Sequence, residues 1–162
     1  MSKDRIWKIY LSGEIHTNWR EKIEELCKQN HLPVIIDSPN TNHSNSDDCG
    51  VKILGNESNK FWYDRKGAAI NSIRNSVLLK ETDILIVKFG DQYRQWNAAF
   101  DVGLAAAKGK PIITLHDNNL DHALKEIDQE SLATCRSVEE VVAILQYVIN
   151  GKLYEKNEKA AE

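Results

Sequence analysis

With 162 residues, 41% of them hydrophobic and 28% charged, the chain can form one domain with a substantial core. The net charge of −3 gives no electrostatic argument for binding nucleic acid or membrane. No stretch approaches the ~18 apolar residues of a membrane-spanning helix, and the N-terminal residues lack the apolar core of a signal peptide. The three cysteines lack Cys-x-x-Cys spacing and are typical of reduced thiols, so we expect a cytoplasmic protein.

The first part of the chain alternates short apolar strands with a helix. The predicted elements are, in order, a strand over 7–12, a helix over 19–30 and a strand over 33–36. Gly13 follows the first strand and permits close approach of the backbone to a ligand. Asp37 stands at the carboxyl end of the second strand, where open α/β sheets bind ligands.

Residues 38–59 are dense in Asn, Ser, Asp and Gly and show little periodicity. This composition predicts a long loop, which in a compact domain is usually functional or mobile. We interpret it as a flap over the site or as a subunit contact. His43, Asp47, Asp48 and Cys49 lie within it, but their spacing matches no metal site, so we favour a solvated acidic loop and expect no metal.

Three aromatic residues, Phe61, Trp62 and Tyr63, precede the next helical pattern. They could stack on a nucleobase, but anchoring in the core is the commoner role of such side chains. The pattern that follows predicts a helix over 64–81. Its predicted buried face consists of Ile70, Ile73, Val77 and Leu78.

The centre of the chain reads as strand, polar loop, helix and strand. The predicted bounds are a strand over 83–87, a loop over 90–95, a helix over 96–107 and a strand over 112–115. Gly109 stops the helix, and Lys110-Pro111 leads into the last strand. A unit of this length is a βαβ crossover, which predicts that its two strands are parallel.

Asp101 is unusual because it lies in the first turns of a helix whose other residues are mostly small and apolar. One interpretation is that its charge only complements the positive end of the helix dipole. The other is that it faces a ligand, because the start of this helix lies at the carboxyl edge of the sheet. Asn97, four residues earlier, shares its face of the helix.

The remaining sequence completes the alternation. It predicts a short helix over 121–127, a strand over 132–135 and a helix over 138–150, which Ser137 and Glu140 open as a capping box and Gly151 ends. His116 follows the fourth strand and could be a general acid, although a histidine at such a place is more often a hydrogen-bonding loop residue.

The alternation of strands and helices predicts a three-layer α/β fold with a doubly wound, five-stranded parallel sheet of flavodoxin-like or Rossmann-like type, in order 2-1-3-4-5. Residues 1–151 form the single domain and 152–162 a charged tail.

Several motifs together resemble the nucleoside 2-deoxyribosyltransferase superfamily. They are Ile9-Tyr10-Leu11-Ser12-Gly13, Asp101-Val102-Gly103-Leu104-Ala105 and Gly109-Lys110-Pro111. Within that superfamily the chain is most similar to the YtoQ branch, through Ser-Gly-Glu-Ile-His from Ser12 and Trp-Asn-Ala-Ala-Phe-Asp from Trp96. The resemblance spans residues 6–148 and implies the same fold.

The resemblance implies cleavage of a nucleoside or nucleotide N-glycosidic bond, or 2-deoxyribosyl transfer, by a hydrolase or transferase with a carboxylate nucleophile. Asp101 takes the place of the family's Glu, and is one methylene shorter. Tyr10 would position the carboxylate, and Glu14 and His16 would provide acid help. The expected substrate-binding residues are Ser12, Gly13, Asp37, Trp62, Asn75, Gly90, Arg94, Gln95 and Asn97. Asn75 replaces an Asp of several relatives, and Arg94 could contact an anion.

Alternatives from other classes remain open at this point. The chain could be a non-catalytic protein that binds a nucleoside or nucleotide-like metabolite, or a flavodoxin-like domain that binds a protein partner. We expect no cofactor, because no Ser/Thr-rich phosphate loop of the flavin-binding kind follows the first strand. By analogy with the resembled family, we expect a small-molecule nucleoside or nucleotide ligand and a homo-oligomer, a dimer or larger.

Overall fold

A computed structural model describes residues 5–153 of the chain. The strands are β1 (Trp7–Gly13), β2 (Val34–Asp37), β3 (Ile84–Lys88), β4 (Ile112–Leu115) and β5 (Ala133–Cys135). The helices are α1 (Trp19–Gln29), α2 (His43–Leu54), α3 (Lys60–Glu81), α4 (Trp96–Ala107), α5 (Lys125–Gln129) and α6 (Val138–Asn150). In this part of the chain no helix is long and apolar enough to cross a membrane.

The five strands form one parallel sheet in the order β2-β1-β3-β4-β5, which confirms the predicted topology. In this order the chain moves outward from β1 to β2 and then returns to place β3 on the other side of β1. The gap between the carboxyl ends of β1 and β3 is therefore the switch point of the sheet, where doubly wound folds bind ligands.

Helices cover both faces of the sheet because the central strands are apolar on both faces. On one face α1 packs against α6, and Trp19, Ile23 and Leu145 meet strand residues such as Leu11 and Ile86. On the other face the core contains Leu79 of α3, Val102 and Ala105 of α4, Leu124, and strand residues including Tyr10 and Leu85. Small residues on α4 let it approach the sheet closely.

The predicted loop over 38–59 was wrong in its central part, which forms helix α2. The side chain of Asn42 caps this helix by accepting a hydrogen bond from the backbone N–H of Asn45 (2.9 Å). Gly50 lies against α3 so closely that a Cβ atom there would come within 2.3 Å of the Gly67 nitrogen. A glycine considered by its local sequence alone suggests a loop, but Gly50 lies within a helix and allows α2 and α3 to pack closely.

The buried face predicted for α3 was wrong in part, because Leu78 packs against the core but Ile73 and Val77 do not. Ile73 and Val77 are 68% and 52% exposed, whereas Leu79 is fully buried. Phe61 and Trp62 lie in the first turn of α3 and are exposed as well, so they do not anchor the core. Helix α2 covers α3 on the side of Gly67, and Ile73 and Val77 stay on the surface.

The C-terminal part of the domain follows the prediction more closely. Ser137 caps α6 by accepting a hydrogen bond from the Glu140 N–H (3.2 Å), and Gly151 ends the helix in the left-handed region at φ 69°. The helix predicted over 121–127 is instead a 3-10 turn at Asn118–Leu120 followed by α5. Most of the predicted tail over 152–162 lies outside the described residues.

Candidate functional site

A buried carboxylate and a buried hydroxyl meet at the switch point of the sheet. Ser12, near the carboxyl end of β1, donates a hydrogen bond from Oγ to Oδ2 of Asp101 at 2.6 Å. Asp101 is 5% exposed, although it lies on the second turn of α4. Burial raises the pKa of the Asp101 carboxyl, and the Ser12 hydrogen bond opposes that effect without cancelling it.

Asp101 lies in the wall of a cavity of about 540 Å³, within the usual range for small-molecule sites. The cavity is bounded by the end of β1 and by parts of α2, α3 and α4. Five residues predicted from the sequence line it together: Ser12, Gly13, Asn75, Asn97 and Asp101. The fold therefore brings the central motif residues into one site.

Tyr10 lies beneath this cavity and does not line it. Its side chain is fully buried, and its hydroxyl has no hydrogen-bond partner within residues 5–153. Burial raises the pKa of the hydroxyl well above its usual range, and the charge of Asp101 adds to this. The sequence reasoning gave Tyr10 the role of positioning the carboxylate, whereas the hydrogen bond to Asp101 in the structure comes from Ser12.

The turn after β1 is held rigidly by buried contacts. Gly13 has φ 119°, and a Cβ atom there would come within 2.0 Å of the Lys88 carbonyl oxygen. The N–H of Glu14 donates to that same oxygen at 3.0 Å. From the other side the buried Arg20 donates to the carbonyl oxygens of Leu11, Gly13 and Glu14. These contacts fix the position of Ser12 relative to Asp101.

Glu14, a predicted acid, is used inside the turn. Its carboxylate accepts hydrogen bonds from the N–H of His16 (2.7 Å), the N–H of Thr17 (3.1 Å) and the Thr17 hydroxyl, and pairs with Lys88 (3.1 Å). Burial raises the pKa of this carboxyl, but the hydrogen bonds and Lys88 outweigh burial and hold it below its ordinary value. A carboxylate held ionised in this way is a poor proton donor.

Glu14, His16 and Gly90 line a second cavity, of about 360 Å³, on the other side of the Gly13–Glu14 turn. The His16 ring contacts Tyr93 there, with ring centroids 4.9 Å apart. The buried His116, at the base of this cavity, contacts the carboxylate of Asp128 at 3.0 Å. The acid residues predicted for the site of Asp101 are therefore separated from it.

Four predicted binding residues line neither cavity. Asp37 ends the edge strand β2, and Trp62 is exposed on α3. Arg94 lies 5.8 Å from the Trp96 ring centroid. Gln95 holds its own loop, because its side chain accepts from the Gly90 N–H and donates to the Gln92 carbonyl. The Gln95 side chain therefore makes its hydrogen bonds within the loop before α4.

The sequence reasoning offered residues 38–59 as a flap over the site or a subunit contact and placed Asn75 in the site, but it did not identify most of the other side chains that α2 and α3 contribute to the cavity wall. The additional residues on these helices include His43, Ser46, Asp47, Asp64, Asn71, Ser72 and Ser76. His43, Ser46, Asp47 and Gly50 recur at helical spacing, and this was the available signal for α2. Within residues 5–153 no group of three or more His, Cys, Asp or Glu side chains could hold a metal ion.

The structures that this fold resembles support the same architecture. One is the 2-deoxyribosyltransferase of Bacillus psychrosaccharolyticus, with a TM-score of 0.53 and 20% identity over 83% of this chain and 89% of that one. Another is a conserved protein from Enterococcus faecalis V583, with a TM-score of 0.59 and 16% identity over 89% of this chain and 99% of that one. At these identities the likeness shows the fold.

The parallel sheet in this order defines a Rossmann-like fold, and its cavity lies at the switch point where such folds bind ligands. The sequence identifies the family, because the family model described as nucleoside 2-deoxyribosyltransferase YtoQ matches residues 10–149 of this chain. The uncharacterised protein YtoQ of Bacillus subtilis (strain 168) is 41% identical over 140 residues, which are 86% of this chain and 95% of that protein. The chain belongs to the YtoQ family, which confirms the resemblance.

Proposed function

We propose that this protein cleaves the N-glycosidic bond of a nucleoside or nucleotide, or transfers its 2-deoxyribosyl group, with the Asp101 carboxylate as nucleophile. The observation that carries the proposal is a buried carboxylate at the wall of an open cavity, held by one buried hydroxyl. The family description and the deoxyribosyltransferase fold support the substrate class.

The chemistry follows from what a fixed carboxylate can do next to a sugar. One Asp101 oxygen attacks C1′ while the C1′–N bond breaks, and the bonding electrons leave with the base. Ser12 holds the other oxygen, Oδ2, and so limits the rotation of the carboxylate. Water or a second base then attacks C1′ and releases Asp101. Asn75 and Asn97 line the same cavity and offer amide groups for ribose hydroxyls.

The test is chromatography of reactions with a panel of nucleosides and nucleoside monophosphates, with and without a free acceptor base. Wild type should release a base or form a new nucleoside, and Asp101→Asn should abolish both. Asp117→Asn is the matched control, because Asp117 is exposed and lies at the second cavity. Turnover that survives in Asp101→Asn would refute the nucleophile.

Lack of turnover by wild type, together with saturable binding of a nucleoside in calorimetry, would instead favour a non-catalytic binding protein. Because Asp101 is one methylene shorter than the Glu of the resembled superfamily, the comparison of turnover with binding decides between the two functions. A small displacement of a nucleophile is costly in rate, whereas binding tolerates it better.

We also propose that the protein forms a homo-oligomer. Ile73 and Val77 on α3 and Phe100 on α4 are large apolar side chains that are more than half exposed. A contiguous exposed apolar patch is typical of protein interfaces, and we infer that these three side chains contribute to one. Phe100 also lines the cavity of Asp101, so a partner subunit on this surface would border the site.

A further inference from the structure

A histidine–aspartate pair lies on the α2 wall of the cavity that contains Asp101. Nδ1 of His43 is 3.0 Å from Oδ2 of Asp47, one helical turn further along α2. Both residues line the cavity of Asp101. The pair is held in place by its helix, because the Gly50–Gly67 contact fixes α2 on α3.

The orientation of the imidazole follows from this contact. The Asp47 carboxylate lies beside Nδ1, so Nε2 is the ring nitrogen that stays open for proton exchange with a ligand. Imidazole is the side chain used most often for proton transfer at neutral pH. His43 is the imidazole among the described residues that line this cavity.

The other candidates for this role are occupied elsewhere. Glu14 and His16 line the second cavity, on the far side of the turn after β1. Asp64 lines the first cavity, but its carboxylate is already paired with Lys60 at 2.7 Å. Asn75 cannot supply an ionisable proton.

The dimensions of the cavity fit a nucleoside between the two groups. A sphere of 540 Å³ is about 10 Å across, comparable to the length of a nucleoside. Asp101 lies on α4 and His43 on α2, and both line the cavity. A base that leaves a sugar held at Asp101 meets His43 when it is directed toward α2.

We propose that His43 is the general acid that protonates the leaving base, positioned by Asp47; this inference rests on the proposed function. As the C1′–N bond breaks, its electron pair moves into the base, and a ring nitrogen of the base takes the proton from His43 Nε2. Asp101 simultaneously forms the new bond to C1′. In the second half, the incoming water or base returns a proton to neutral His43 as it displaces Asp101.

The test compares leaving bases that need a proton with one that does not. A 7-methylated guanine carries a positive charge in the nucleoside and leaves as a neutral base without protonation. Single-turnover release of base is measured for guanosine, 2′-deoxyguanosine and their 7-methyl derivatives, with the uncatalysed rate subtracted. This assay reports only the first step.

His43→Gln should lose about 10²–10⁴-fold on the unmethylated substrates and little on the methylated ones. Asp47→Asn should show a smaller loss with the same selectivity, and Asp101→Asn should lose activity on all four. His122→Gln, an exposed histidine outside both cavities, should behave as wild type. The His43 side chain is 73% exposed, so its replacement should leave the fold intact.

The outcomes separate this inference from the function on which it rests. An equal loss on both kinds of substrate, or no loss in His43→Gln, would overturn the general-acid role while turnover by wild type upheld the proposed function. No turnover by wild type on any substrate would overturn both.

Discussion

Replacement of Gly13 by alanine tests whether backbone crowding at the end of β1 determines this residue. A Cβ atom would lie 2.0 Å from the Lys88 carbonyl oxygen and 2.8 Å from the Lys88 nitrogen. Both distances are shorter than non-bonded atoms can adopt, so the turn must move. The hydrogen bond from the Glu14 N–H to the Lys88 carbonyl oxygen is then lost. The φ of 119° is an additional strain for any side chain.

The expected loss in the free energy of unfolding is the sum of the backbone strain and the lost hydrogen bond. Unfavourable backbone dihedrals cost about 1–3 kcal/mol, and a lost hydrogen bond about 0.5–1.5 kcal/mol. The sum, roughly 1.5–4.5 kcal/mol, is a large fraction of the ~5–15 kcal/mol by which domains are stable. With a urea m-value of about 1–3 kcal/mol/M, the unfolding midpoint should fall on the order of 1–2 M.

The assay is urea unfolding followed by circular dichroism, with Gly109→Ala as the matched control. Gly109 also has a positive φ, 64°, but no atom lies within 4 Å of a Cβ placed there. The control therefore carries backbone strain without crowding. Equal midpoints for the two variants would refute the argument that Gly13 is required by its contact with Lys88.

Three further predictions concern the Asp101 carboxyl, a glycine within α4 and the exposed face of α3. Asp101→Asn should stabilise the protein at neutral pH, because burial raises the folded pKa of Asp101 above its unfolded value and so disfavours the ionised carboxylate in the fold. The gain in melting temperature over wild type should grow as pH rises through the folded pKa and vanish below the unfolded pKa; a pH-independent difference would contradict this. Gly103→Ala should stabilise by about 0.5–1 kcal/mol in thermal unfolding, since Gly103 is exposed within α4 with nothing near its Cβ position, and a loss of stability would contradict that open position. Ile73→Lys should lower the oligomeric mass measured by light scattering, whereas Lys80→Ala, a change to another exposed α3 residue, should not; an unchanged mass would exclude this face as the interface.

The sequence predicted the central βαβ unit well because each of its signals is local. The apolar run of β3, the helix formers of α4 and the Gly109-Lys110-Pro111 stop all act within a few residues. The bounds of α4 and β4 were therefore predicted as the structure has them. The carboxylate site was found for the same reason, since the start of α4 must lie at the carboxyl edge of a parallel sheet.

The packing of α2 against α3 could not be predicted because its determinants are distant in sequence. Gly50 and Gly67 let the two helix backbones approach, and no local pattern shows that contact. Glu14 was predicted as an acid because its residue type allowed it, but its hydrogen bonds to Thr17 and His16 commit it to the turn. Tertiary contacts decided both cases.

The attachment of α2 to the domain separates the residues that line the cavity on this helix from the residues that stabilise the core. Ser12 on β1 and Asp101 on α4 are both buried, whereas α2 contacts chiefly α3 and has Gly50 as its buried residue. Substitutions on the cavity side of α2 therefore change the shape and polarity of the ligand wall with little loss of core packing. We expect such changes to alter ligand choice among relatives while the carboxylate remains in place, so that selectivity and stability can evolve independently.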